Sequence, residues 1–427
     1  MTDKLTGSVT GFARASQDGV RATSKYYSKS GKDEKNLVRA SFFMGVPGGI
    51  IWYVLGLYWV SLDFSSEQMG FMWAAGNVVG VLTYLFGGYL ADRFGRKKLF
   101  MIGLTATVIG LAMLSAGTEV IIFTIGYSLT NLGSSLSWPS LRVLMSTKTR
   151  PAELKLLYAV QAFVNQIGLI LGSFTGILLP SVMEEYGVVL STGYRYIFFG
   201  ALLAAVVPLW YVLKVSENRR KVEKLRFNMD ARTRKNFIVY CTQNALIGAG
   251  AALVIPWLPI IFDKGMGASG VQVSLIILAS NIAIAIGWLV IPKFAEMRGS
   301  VALIAICQLA SVVPLLAIPF SPFLSVVAVM YTARSLLMLV PNPILYAYIM
   351  NIVSEEIRAT FLALSELAWQ LSFAVFYAIS GILWSSDYTK IMPFIYCSAF
   401  YVVGTLIFFV HFRNVREDHE HKIPNAA

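Results

Sequence analysis

Apolar residues run through this chain in blocks of twenty or more, broken by short polar stretches. A bilayer core about 30 Å thick takes roughly 20 apolar residues per helical crossing. Each block therefore has the length of a membrane-spanning helix. The pattern predicts twelve such spans. Six fall in the first half, at 36–62, 68–91, 99–116, 120–146, 156–180 and 194–213. Six fall in the second, at 237–262, 270–291, 301–320, 323–350, 360–384 and 391–412. Transmembrane β-strands would be about half as long and would alternate in polarity; the blocks do neither. Glycine and proline inside the spans are compatible with helix, because neighbouring helices can satisfy the freed backbone groups.

Composition agrees with the pattern. Of 427 residues, 56% are hydrophobic and 14% charged, and the mean hydropathy is +0.66. A soluble chain carries about a quarter charged residues. The net charge of +12 is distributed unevenly. If both termini are cytoplasmic, the inner segments hold 29 of the 35 basic residues: the N-terminal tail, the cluster from Arg93 to Lys98, Lys148, Arg150, Lys155, the run from Lys214 to Lys235, Lys293, Arg298, Arg358 and the C-terminal tail. The opposite loops are mostly acidic, with Asp63, Glu67, Glu119, Glu184, Glu185, Asp263 and Asp387. This is the positive-inside bias of a multi-pass protein in a cell membrane. The charge reads as topology and attraction to lipid headgroups, with no need of nucleic acid. Residues 1–36 lack an apolar core for a signal peptide and read as a cytoplasmic tail. Cys241, Cys307 and Cys397 all lie within predicted spans without metal-ligand spacing, and read as packing residues.

The longest inner loop divides the chain into equal sets of spans. The expected organisation is a tail (1–36), a six-helix bundle (37–213), a basic linker (214–236), a second bundle (237–412) and a tail (413–427). Internal repetition supports it. Ala91-Asp92-x-x-Gly95 recurs as Ala295-Glu296-x-x-Gly299, and Pro139 recurs as Pro343, both at an offset of 204. Gln161 and Asn165 match Glu366 and Gln370 at 205. Parallel halves with a site near the midplane at their interface are a known plan for transporters.

The gap between the second and third spans reads Gly88-x-Leu90-Ala91-Asp92-Arg93-x-Gly95-Arg96-Lys97. It resembles the signature that joins helices two and three in the major facilitator superfamily, with Phe100 where the family has an aliphatic residue. The resemblance extends from about Leu37 to Phe412. It implies an all-α membrane protein with twelve transmembrane helices in two pseudo-symmetric six-helix bundles, a secondary transporter working by alternating access. It also implies a cytoplasmic gate formed by Gly88, Asp92, Arg93, Gly95, Arg96, Lys97, Arg142 and Glu296, with Arg142 or the start of the eleventh helix facing Asp92. The alternative role for the basic residues is topology alone. Two departures leave the subfamily open. Tyr127 stands where proton-coupled members carry an arginine in helix four, and helix five has Gly168, Gly172 and Gly176 in place of the Gly-Pro pair usual in drug antiporters.

Buried charge supplies the candidate transport chemistry. Glu366 lies about nine residues, or roughly 13 Å, into the eleventh span, and Arg334 lies at similar depth in the tenth. An ionisable residue at that depth points to function. Two roles are open: a coupling pair broken by protonation or substrate, and a static ion pair between helices. Amides cluster at comparable depth, and Asn77, Trp138, Gln161, Asn165, Gln243, Asn244, Asn281, Asn342, Trp369 and Gln370 are the expected cavity lining. Asn131, Gln166, Trp52 and Tyr53 stand nearby in the pattern. Such a lining suits a neutral, singly charged or amphipathic organic solute, with protons as an optional second partner. Symport, antiport, facilitated diffusion and efflux of amphipathic compounds all fit, and a monomer suffices. A membrane-embedded enzyme would need a positioned acid, base or nucleophile. The histidines, His411, His419 and His421, sit at the end of the last span or in the tail. No cofactor, metal site or GxxxxGK[ST] nucleotide loop is expected.

Overall fold

The computed structural model describes residues 27–150, 153–216, 229–354, 357–385 and 387–415. Among these, every regular element is helical. The expected outer portions of both tails and most of the basic linker lie outside the described residues. In chain order the helices are α1 (Lys32–Tyr53), α2 (Leu55–Val60), α3 (Ser66–Phe94), α4 (Arg96–Ala116), α5 (Val120–Ser146), α6 (Leu154–Glu185) and α7 (Leu190–Leu213). They continue with α8 (Ala231–Val254), α9 (Gly270–Arg298), α10 (Ser300–Ala310), α11 (Val312–Ala317), α12 (Leu324–Leu339), α13 (Asn342–Ile352), α14 (Arg358–Leu383) and α15 (Met392–Phe412).

Eleven described stretches are long and apolar enough to cross a membrane. The predicted first span is formed by α1 and α2, which meet at Val54; α1 also carries Arg39 and the sequence Gly45-Val46-Pro47-Gly48-Gly49. Three later spans are interrupted for a physical reason, because proline has no N–H to give the preceding turn. Pro256 and Pro259 turn the end of α8 into 3-10 and π geometry up to Gly265. Pro314 follows the break between α10 and α11, and Pro341 lies between α12 and α13. Pro139 and Pro180 are accommodated inside continuous helices.

The repeat is visible in backbone conformation. Gly95 has φ 84° and ψ 154°, and Gly299 has φ 81° and ψ 144°; each immediately precedes the next helix. This left-handed conformation favours glycine, which accounts for the reversal at both places. At the opposite ends of α3 and α9 the chain repeats a reciprocal cap. Ser65 N–H donates to Gln68 Oε1 at 2.9 Å and Gln68 N–H to Ser65 Oγ at 3.3 Å. Ser269 and Gln272, 204 positions on, do the same at 2.8 and 3.3 Å. Both helices are 29 residues long.

The chain forms two compact units. Unit 1 comprises 1–64, 82–222 and 269–278; unit 2 comprises 65–81, 223–268 and 279–427. In unit 1, α1 packs along α6 and α7, and α4 along α5. Side-chain methyls would not fit at the closest approaches. A Cβ at Gly168 would strike the Phe42 carbonyl, and one at Gly172 the Val46 carbonyl. Stripes of small residues let membrane helices approach in this way. The inner apolar cluster of this unit includes Leu37, Phe100, Leu104, Leu141, Leu144 and Val212. In unit 2, α8 packs against α14 and α15, with Tyr240, Ile304, Tyr348, Phe361 and Phe408 in the core.

Candidate functional site

Among the described residues, three groups of polar side chains bear on the candidate site, one in unit 1 and two in unit 2. The first surrounds the reversal that follows α3. Lys97, in the first turn of α4, donates to the carbonyls of Leu213 at 3.0 Å and Val215 at 2.7 Å. A cation there satisfies carbonyls that the end of α7 leaves without helical partners. Next to it, Asp33 at the start of α1 pairs with Lys148 at 2.9 Å, just after α5. Ser216 completes the cluster, giving its N–H at 3.2 Å and its Oγ–H at 2.8 Å to the same Asp33 oxygen. Lys148 also donates to Ser216 Oγ at 2.6 Å. Burial pulls the Asp33 carboxyl upward, but the hydrogen bonds and charge of Lys148, together with Ser216, outweigh it and hold the group below the usual carboxylate range.

The remaining gate candidates are less connected. Arg93 lies 5.6 Å from the ring of its neighbour Phe94. Arg142 is exposed, and its carbonyl accepts from Tyr158 at 2.9 Å. The backbone at Gly88, Asp92 and Glu296 belongs to α3 and α9, while their side-chain surroundings lie outside the described residues.

The cavity candidates fall into distinct local roles. Asn165 donates to the Ser41 carbonyl at 2.9 Å and so ties α6 to α1; the buried Gln161 has its carbonyl 3.5 Å from Ser41 Oγ. Asn77 and Asn131 donate to carbonyls one turn back on their own helices, those of Trp73 and Tyr127. Trp138 packs against the inner apolar cluster of unit 1. In unit 2, Asn281 is buried and Asn342 opens α13. Gln243 is buried with its Oε1 lacking a partner among the described residues. Trp369 stacks on Phe373 at 5.1 Å.

Unit 2 separates its two deep charges into different clusters. Glu366 Oε1 accepts from Gln370 Nε2 at 3.2 Å. Tyr240 on α8 is close enough to feel the Glu366 charge and lies beside Asn244. Thus three expected residues, Glu366, Gln370 and Asn244, gather around a tyrosine that hydropathy does not single out. Arg334 has different partners. Its Nη2 donates to the hydroxyl of Tyr401 on α15, whose ring centre is 5.6 Å from the guanidinium carbon. Tyr331 lies within reach of the Arg334 charge, with Ser335 and Ser280 beside its phenol.

Sequence reasoning also missed an aromatic cluster in unit 2. Trp73 meets Trp257 edge-on at 5.0 Å and stacks with Tyr377 at 5.5 Å. Trp257 Nε1 donates to Ser380 Oγ at 2.9 Å, and Ser66 Oγ donates to the Trp384 carbonyl at 3.1 Å. The sign available in the sequence was the run of tryptophans, which interfacial anchoring explains equally well.

A helical multi-pass membrane protein with a duplicated reversal and deep ionisable residues is the class these features define. The chain belongs to the Major Facilitator Superfamily, whose family model matches residues 37–241 and 240–427. It is 24% identical over 390 residues to "Multidrug resistance protein 2" of Bacillus subtilis (strain 168), covering 85% of this chain and 90% of that one. It is 27% identical over 143 residues to the uncharacterized MFS-type transporter YqjV of the same organism. That match covers 31% of this chain and only 35% of the relative. The fold is similar to those of the nucleoside transporter NupG (TM-score 0.69, 15% identity, 89% of this chain and 99% of that one) and a D-xylose-proton symporter (0.70, 15%, 88% and 97%).

Proposed function

We propose that this protein is a secondary transporter that moves a small organic solute across the cell membrane by alternating access, with both termini cytoplasmic. The observation carrying this reading is the family match in two consecutive parts, one for each half of the chain. The duplicated caps and reversals of α3 and α9 support it, because parallel halves of this kind work by rocking about a central site. In this reading Glu366, with Gln370, Asn244 and Tyr240, is the coupling group, and its protonation state changes during the cycle. Asp92, Gly95, Arg96 and Arg142 form the cytoplasmic latch, and the amides Gln161, Asn165 and Gln243 contribute to the solute path. The protein acts as a monomer and carries out no chemical conversion.

Efflux of amphipathic compounds is a second reading, favoured by the relative named for multidrug resistance. Reconstitution in proteoliposomes tests both. Labelled lipophilic cations, nucleosides and xylose are offered in counterflow, with an imposed pH gradient as a second arm. Exchange of an unmodified solute supports the carrier reading; chemical conversion of the label, or no exchange across a broad panel, overturns it. Glu366→Gln should abolish the pH-gradient dependence while leaving counterflow measurable.

A further inference from the structure

We infer that Arg334 forms a binding position for a monovalent anion, the carboxylate of an organic solute or chloride. The inference rests on the carrier reading for its physiological meaning but is measured independently of it. Arg334 is 4% exposed within α12. A guanidinium keeps its charge at any accessible pH, and a charge at this depth normally pairs with a carboxylate or lines a pathway. The described surroundings of Arg334 supply no carboxylate. Its hydrogen-bond partner is the Tyr401 hydroxyl, and its charge reaches Tyr331 and Cys397 as well. A neutral phenol accepts one hydrogen bond but contributes no countercharge.

A second observation points outward from the same group. Arg334 Nε is buried and has no hydrogen-bond partner among the described residues. Leaving a charged donor unfilled in the interior carries a full desolvation cost. The adjacent groups are themselves able to donate: Ser335 is 3% exposed, Ser280 2% and Tyr331 5%. A fixed cation with buried hydroxyls nearby matches a small anion, and a forked guanidinium matches a carboxylate in particular. One positive charge with neutral donors selects a single negative charge over a dianion. Among the described residues no hydrogen bond or ion pair joins Glu366 to Arg334.

The test uses the purified full-length protein in nanodiscs. Its melting temperature is followed with acetate and benzoate, with the matched neutral amides, and with chloride against methanesulfonate at equal ionic strength. A carboxylate or chloride should raise the melting temperature by a few degrees while the amides leave it unchanged; which anion succeeds identifies the source. Arg334→Gln should raise the concentration for a half-maximal shift at least tenfold, and Tyr401→Phe by a smaller factor. Ligand-free Arg334→Met should melt no lower than the parent, because it removes an uncompensated charge. Three results would overturn the inference: no anion-dependent shift in the parent, the same shift in Arg334→Gln, or a ligand-free Arg334→Met protein melting several degrees lower. Any of these three results alongside active solute counterflow would end this inference and leave the carrier reading intact.

Discussion

Asp33→Asn is the most direct perturbation of the end of unit 1 at which α1 begins. One oxygen of Asp33 receives three donors, Lys148 Nζ at 2.9 Å, Ser216 Oγ at 2.8 Å and Ser216 N–H at 3.2 Å. Those donors come from the ends of α5 and α7, so the carboxylate at the start of α1 joins three helices. Hydrogen bonds to a charged group contribute about 1.5–3 kcal/mol each when well shielded. The Asp33 side chain is 26% exposed, against 7% for Lys148. Solvent screening and shared geometry therefore reduce the whole cluster to about 1–2 kcal/mol. In a protein of this size that corresponds to roughly 1–2 °C in melting temperature. Most of the loss comes from stranding Lys148, so Asp33→Asn should cost more than the double variant Asp33→Asn/Lys148→Met relative to Lys148→Met alone.

The pH dependence follows from the direction of the Asp33 shift. A carboxyl held below its unfolded value stabilises the fold above that value, near pH 3.9, and loses the contribution as pH falls through the lower folded value. The difference between parent and Asp33→Asn should thus be constant from pH 5 to pH 8 and vanish in strong acid. Thermal melts in detergent at several pH values measure it. Equal melting temperatures at pH 7, or a difference that grows between pH 5 and pH 8, would refute the cluster's role.

Other consequences are equally open to measurement. Gly172→Val should prevent accumulation of folded protein by driving a side chain into the Val46 carbonyl, whereas Gly200→Ala, with nothing within 4 Å, should express normally. Gly299→Ala meets no neighbour within 4 Å yet should lose about 1 kcal/mol from its φ of 81°; an unchanged melt would show that the reversal tolerates side chains. Ser380→Ala leaves the buried Trp257 N–H without its acceptor and should cost about 1–3 kcal/mol, visible as a lowered melt that Ser380→Thr restores.

Much of the fold was legible because a bilayer imposes a length on each span, and hydropathy reports that length directly. The breaks near Pro256, Pro314 and Pro341 were less legible. Pro139 and Pro180 sit in unbroken helices, so sequence marks where a helix can break and packing decides whether it does. The link between Glu366 and Gln370 was readable for the same kind of reason. A lone carboxylate in an apolar span stands out, and Gln370, one turn beyond Glu366, follows from helical periodicity. The partner of Arg334 did not. Tyr401 is one aromatic among many in an apolar span, and only the approach of α15 to α12 distinguishes it.

The two copies of the repeat differ in what each position must satisfy. Gly95 and Gly299 adopt nearly the same left-handed conformation, and Ser65-Gln68 and Ser269-Gln272 make the same reciprocal cap. These are demands of the backbone, and both halves meet them with the same residue types. The charged positions have no such demand. Lys97 caps the end of α7 through the Leu213 and Val215 carbonyls, while the residue 204 positions later is Val301, packed against the apolar core of unit 2. Basic charge is therefore concentrated at the first reversal, and the two deep ionisable residues, Arg334 and Glu366, both lie in the second half. A rocking mechanism built on this chain would place its cytoplasmic latch chemistry in one half and its coupling and anion chemistry in the other. Exchanging Lys97 for Val should then weaken the end of unit 1 where α4 begins without altering the affinity of an anion for Arg334, and thermal melts with and without benzoate would separate the two effects.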